Sequence, residues 1–157
     1  MNNSKLSPAN IVILAGGVLA FIASFLAFNK FTTPSISFGD VKIGGSHSYS
    51  AWSTHFFLIA TIPALLCLIM AIHVAVSTFA QMTLPNRVLG FSWDQIHLIL
   101  GFQATLMMLA FLIQDTGGLD KGIGLYLMLI GAIACLVGAI MRVVQGAPSA
   151  PPAPPAI

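Results

Sequence analysis

Four histidines, two cysteines and four aspartates are nearly all this chain offers for chemistry, so their spacing comes first. His73 and His97 form the most suggestive pair. In a helix ending near Ala80, His73 lies ~10 Å from the end; in a helix capped at Ser92, His97 lies ~7 Å in. Two antiparallel helices would bring the two imidazoles face to face at similar depth. At the opposite end His47 approaches His55, and His55 shares a helical face with Ile62, Leu66, Met70, His73 and Ser77. Neutral imidazole ligates haem iron, so one reading is a redox protein holding b-type haem or quinone through His73 and His97. The competing reading is a pair of interfacial histidines hydrogen-bonded to Asp94, Gln95 or a backbone carbonyl, with no cofactor beyond bound lipid. We expect the second.

Two details favour it. b-type haem proteins usually space the two ligands of one helix by about four turns, whereas His55 and His73 are five turns apart. Asp94, His97 and Gly101 fall on one stripe at i, i+3 and i+7; this reads as a helix start with a bonded histidine and a glycine for close packing, rather than a proton-accepting or quinone-contacting patch. Cys67 and Cys135 sit inside apolar runs at matching depth, as small packing residues rather than a disulfide or metal pair. The chain contains no Ser/His/Asp order, phosphate loop, HExxH or CxxC. Proton and ion carriers keep charged groups at depth in their spans, and these spans keep none. A catalytic or transport role is not expected, and no metal site.

The elements that hold these residues are apolar. The 157 residues are 57% hydrophobic and 6% charged, against about 25% charged in soluble domains. The net charge of +2 comes without a basic run, so nothing suggests nucleic acid and no such partner is expected. The expected fold is an all-α membrane protein: a four-transmembrane-helix bundle with a short β-hairpin in its first outer loop. The bundle occupies residues 1–145, with spans at 11–28, 54–80, 93–113 and 123–144. Residues 146–157 form a Pro/Ala-rich, polyproline-like tail. Span 54–80, interrupted by Pro63, organises the rest. The first span is read as retained rather than as a removed signal peptide, because no small-x-small cleavage site follows it.

Local signals fix the ends. Ser7-Pro8 starts the first span, and Ser92 with Gln95 forms a capping box at the third. Gln81–Phe91 is a short loop with Pro85, and Gln114–Lys121 a tight turn. Around Gly39-Asp40 the alternation predicts a hairpin pairing Phe38 with Val41, Ser37 with Lys42 and Ile36 with Ile43. Small residues mark helix-packing faces: Gly16, Ala20 and Ser24 on the first span, Gly101 on the third, and Gly131, Cys135, Gly138 and Ala139 on the fourth. Even-numbered spans put both termini on one side. The cation count ties, with Lys5, Arg87 and Arg142 against Lys30, Lys42 and Lys121; termini facing the cytoplasm of a multi-pass cell-membrane protein are the expectation.

Ala15-Gly16-Gly17 with Ala23-Ser24-Phe25-Leu26, Tyr49-Ser50-Ala51-Trp52-Ser53, and Gly124-Leu125-Tyr126-Leu127 through Ile133 carry a resemblance. The chain resembles small four-span membrane proteins of actinobacteria, and departs from them where the first span ends in Ala27-Phe28-Asn29-Lys30. The resemblance sets no catalytic residue. It implies a non-catalytic accessory or assembly subunit of a larger membrane complex, such as the respiratory cytochrome bc–oxidase supercomplex. The implied partners are lipids and other integral membrane subunits.

Overall fold

The computed structural model describes residues 7–33, 36–38, 41–53, 57–80, 85, 87–115 and 117–146, and it is mostly helical. Helix α1 runs Pro8–Ala23, α2 Phe57–Phe79, α3 Trp93–Ile113 and α4 Ile123–Gly146. Their starts follow the caps in the sequence. The Ser7 hydroxyl accepts from the Asn10 amide at 3.2 Å with Pro8 in the first turn. At α3, Ser92 and Gln95 exchange both bonds of a capping box. Helices α2, α3 and α4 are each long and apolar enough to cross a membrane.

The first helix corrects the expectation of a span over residues 11–28. It has 16 residues, ~24 Å of rise against a hydrocarbon core of ~30 Å. Beyond Ala23 the chain turns and enters strand β1, Ala27–Thr32. Ala27-Phe28 is as apolar as the helix before it, so hydropathy alone cannot see the change. Strand partners decide it: β4, Ser46–Ser50, on one edge of β1 and β7, Asp120–Lys121, on the other, both antiparallel. The ladder with β4 slips between Ala27 and Asn29. That irregularity lets two successive side chains, Phe28 and Asn29, both turn into the core, which regular alternation forbids. Phe28 then meets Phe111 of α3 edge to face at 5.1 Å.

Strands β2, Ile36–Phe38, and β3, Val41–Ile43, pair in the register that the alternation predicts, Phe38 with Val41 through Ile36 with Ile43. Residues 81–91, read as a plain loop, hold a second hairpin of β5, Arg87–Val88, and β6, Phe91–Ser92. Leu89 and Gly90 turn it at φ 53° and 87°. This is the left-handed pair a type I′ hairpin needs, and the glycine takes it without strain while the leucine does not. The tail expected from residue 146 onward lies outside the described residues, except that Gly146 closes α4.

α1 packs chiefly on α4 and then on α2, and α3 leans on α4 and α2. The fit between α1 and α4 rests on glycine. A Cβ on Gly131 would stand 2.7 Å from the Gly16 carbonyl, and one on Gly16 would stand 2.8 Å from the Gly131 carbonyl. Antiparallel succession leaves two ends. One carries the three-stranded sheet. The other gathers the C-terminal ends of α2 and α4 with the start of α3.

Candidate functional site

Five side chains converge at that second end: His73 from α2, Trp93, Asp94 and His97 from α3, and Arg142 from α4. The Arg142 guanidinium gives Nε to the Asp94 carboxylate at 2.9 Å and Nη1 to His97 Nδ1 at 3.2 Å. A guanidinium can only donate, so His97 Nδ1 accepts and its proton sits on Nε2. Asp94 also lies in the first turn of α3, where a carboxylate favours the positive helix end. One cation thus ties α4 to α3 through two acceptors spaced i, i+3.

The second layer is aromatic. The Trp93 ring stacks on His73 with centroids 3.8 Å apart and planes 22° apart. His73 meets His97 edge to face at 4.7 Å and 79°. The Trp93 indole N–H donates to the Pro85 carbonyl at 2.8 Å, pinning the connecting loop. His97 is 1% exposed. Its Nε2, like His73 Nδ1, has no hydrogen-bond partner among the described residues.

The sequence spacing therefore brings His73 and His97 together, yet with the rings touching. A haem plane held between two imidazoles needs them apart and both nitrogens aimed at the iron. Here the rings fill that slot themselves, and one His97 nitrogen is taken by Arg142. Asp94, one of the hydrogen-bond partners expected for the histidines, instead bonds Arg142. His55 lies outside the described residues, and His47 is exposed on β4, opposite Phe31. Cys67 and Cys135 are free, buried and adjacent, and the Cys135 thiol donates to the Ile13 carbonyl at 3.7 Å.

The small residues singled out in the sequence are distributed over two interfaces. Gly16, Ala20 and Gly131 lie in the α1–α4 contact, as does Gly138, whose Cβ would strike Ile13. Gly101 rests on Leu136 of α4, and Ala139 is fully buried. Ser24 is placed differently: it caps α1 from outside the helix. Its hydroxyl donates to the Phe21 carbonyl at 2.6 Å and accepts the Trp52 indole N–H at 2.8 Å. Its carbonyl takes the Ala51 amide at 3.1 Å.

Sequence reasoning missed three close approaches and one polar residue. Gly17 lies against the Cys67 carbonyl of α2, and Gly122 and Gly124 against the Ala27 carbonyl; the Gly16-Gly17 doublet carried that signal for two neighbours. Gln103, at the centre of α3, is exposed on its outer face. A glutamine in the middle of an apolar run was visible, but its direction was not.

At the sheet end a polar cavity of about 370 Å³ lies among Gln114, Asp115, Asp120, Lys121 and Tyr126. Lys121 Nζ donates to the Leu112 carbonyl at the end of α3, the place where a cation meets the negative helix end. Among the described residues no group of three or more His, Cys or Asp side chains is disposed to hold a metal ion. No family model, curated protein or solved structure matches this chain.

Proposed function

We propose that this chain is a non-catalytic accessory subunit that works by packing against larger integral membrane proteins. One observation carries the reading. The charged and ring groups at the Trp93 end engage one another, Arg142 bonded to Asp94 and His97 and the His73 ring packed between Trp93 and His97, while His97 Nε2 and His73 Nδ1 keep no hydrogen-bond partner among the described residues. The cluster joins three helices. What the helices present outward is mostly large and apolar, with Ile22, Leu58, Ile69, Phe102, Ile130 and Val144 among the exposed side chains. Such a body offers lipids and neighbouring helices a shaped surface.

In this reading α1, lengthened by the turn at Ser24–Leu26, makes a fourth crossing, and both termini face the cytoplasm. The resemblance to actinobacterial four-span proteins directs the first search to the respiratory cytochrome bc–oxidase assembly. The test is purification of the tagged full chain from its native membrane in mild detergent, with native electrophoresis and an absorbance spectrum. The expected result is stoichiometric co-migration with larger integral membrane proteins and no Soret band from the isolated chain. A Soret band lost on His73→Ala or His97→Ala overturns the proposal in favour of a redox protein. Migration with no other polypeptide overturns it as well.

A further inference from the structure

Helix α3 carries two heptad seams on opposite faces. His97, Gly101, Ala104, Met108 and Phe111 follow the 4-3-4-3 spacing of a coiled-coil contact line and are all buried inside the chain. Ile99, Gln103, Leu106, Ala110 and Ile113 repeat that spacing two residues on. Two residues turn the helix by ~200°, so the second line looks directly away from the first, and all five of its residues are exposed. Ile99 is 53%, Leu106 50% and Ile113 81% exposed.

Gln103 is the eleventh of the 21 residues of α3, ~15 Å from either end. In a bilayer it would lie at the midplane. Among the described residues in the middle of the three long helices, it is the one exposed polar side chain. Thr61, Cys67, Thr105 and Cys135 are all buried. Its amide carries two N–H donors and a carbonyl acceptor, and lipid tails can satisfy none of them. A polar side chain in that position is the kind that binds helices together across a membrane.

We infer that this outer face of α3 is a homodimer interface, with Gln103 of one copy hydrogen-bonded to Gln103 of the second. The argument for a second copy is self-complementarity. Copies of one chain inserted the same way hold every residue at equal depth, so around a two-fold axis along the membrane normal Gln103 meets itself. A primary amide, both donor and acceptor, then forms two reciprocal bonds. The heptad line keeps two parallel helices in contact above and below that point. Ala110, one heptad from Gln103, allows the backbones to approach. Beside the line, Leu98, Phe102, Leu136 and Ile140 border a groove of about 430 Å³ that admits facing side chains. This interface uses neither the histidine cluster nor the α1–α4 contact. It stands or falls independently of the accessory role.

The experiment is oxidative cross-linking of single cysteines in the full chain, in native membranes and in phosphatidylcholine vesicles. The native thiols are buried, so the unaltered chain is the blank. Disulfide-linked dimers are expected with Ile99→Cys, Gln103→Cys, Leu106→Cys and Ala110→Cys, less with Phe102→Cys and Leu109→Cys, and none with Ile69→Cys on α2. Energy transfer between labelled copies diluted in lipid gives the second measurement. Gln103→Leu, which favours insertion and leaves the chain's own contacts alone, is expected to lower the association constant roughly 3- to 20-fold, while Gln103→Asn retains most of it. Cross-linking without the 4-3 periodicity, undiminished association of Gln103→Leu, or cross-linking of residue 103 only to a different polypeptide each overturns the inference.

Discussion

Gly131→Ala tests the α1–α4 contact on which the bundle is built. The new Cβ would lie 2.7 Å from the Gly16 carbonyl oxygen and 2.8 Å from both Cβ and N of Ala20. These are backbone or β-carbon atoms on a rigid helix, so no side chain can swing aside. Ordinary contact requires roughly 3.4–4 Å, and α1 must therefore back away from α4 by more than half an ångström. A radial gap of 0.5–1 Å forfeits about a quarter to a half of each dispersion contact along the seam. Overpacking of this kind costs about 1–3 kcal/mol. Opposing it, Ala exceeds Gly in helix propensity by about 1 kcal/mol in the interior of a helix. The net expectation is a loss of up to about 2 kcal/mol, measured by unfolding in mixed micelles with a denaturing detergent. Gly16→Ala has similar distances, 2.8–3.0 Å, and the same expected loss. The double variant separates the helices only once, so its loss falls short of the sum by ~1 kcal/mol. Gly45→Ala, with nothing within 4 Å of the new Cβ, is the control and stays within about 0.5 kcal/mol. A stabilised Gly131→Ala variant, or strict additivity with Gly16→Ala, would refute the close contact.

Three further outcomes follow from other parts of the molecule. The Arg142–Asp94 pair is 22% and 40% exposed, between the surface and buried regimes, so Arg142→Leu should cost about 1–3 kcal/mol. Asp94→Asn added to it should cost little more, and a full second loss in the double variant would show that the two do not interact. Ser24→Ala removes the acceptor of the Trp52 indole N–H and should lower stability by about 1–2 kcal/mol while shifting Trp52 fluorescence; unchanged emission would count against the bond. Ser46→Cys, on the exposed sheet, should react with an impermeant maleimide on intact cells, and reaction only after lysis would reverse the proposed orientation.

Much of this architecture was legible in the order of residues. Helix α3 begins and ends where its capping box and its Gln114 boundary place it, because capping is a local exchange between Ser92 and Gln95. The β2–β3 register follows from alternation about Gly39-Asp40, since a one-residue slip would reverse every side chain. The meeting of His73 and His97 followed from depth counted along two helices. Tertiary partners decided the rest. Ala27-Phe28 is apolar enough for helix, and it is held in a strand whose partners, Ser46–Ser50 beside Ala27 and Asp120–Lys121 beside Asn29 and Lys30, are distant in the chain. Arg142 reads as the end of a span, and only the packing of α4 on α3 gives it Asp94 and His97. Gln103 shows its type and depth in the sequence, but its face depends on which side of α3 the chain buries. His97, Gly101 and Ala104 settle that: buried on the inner face, they leave the Gln103 amide on the exposed one.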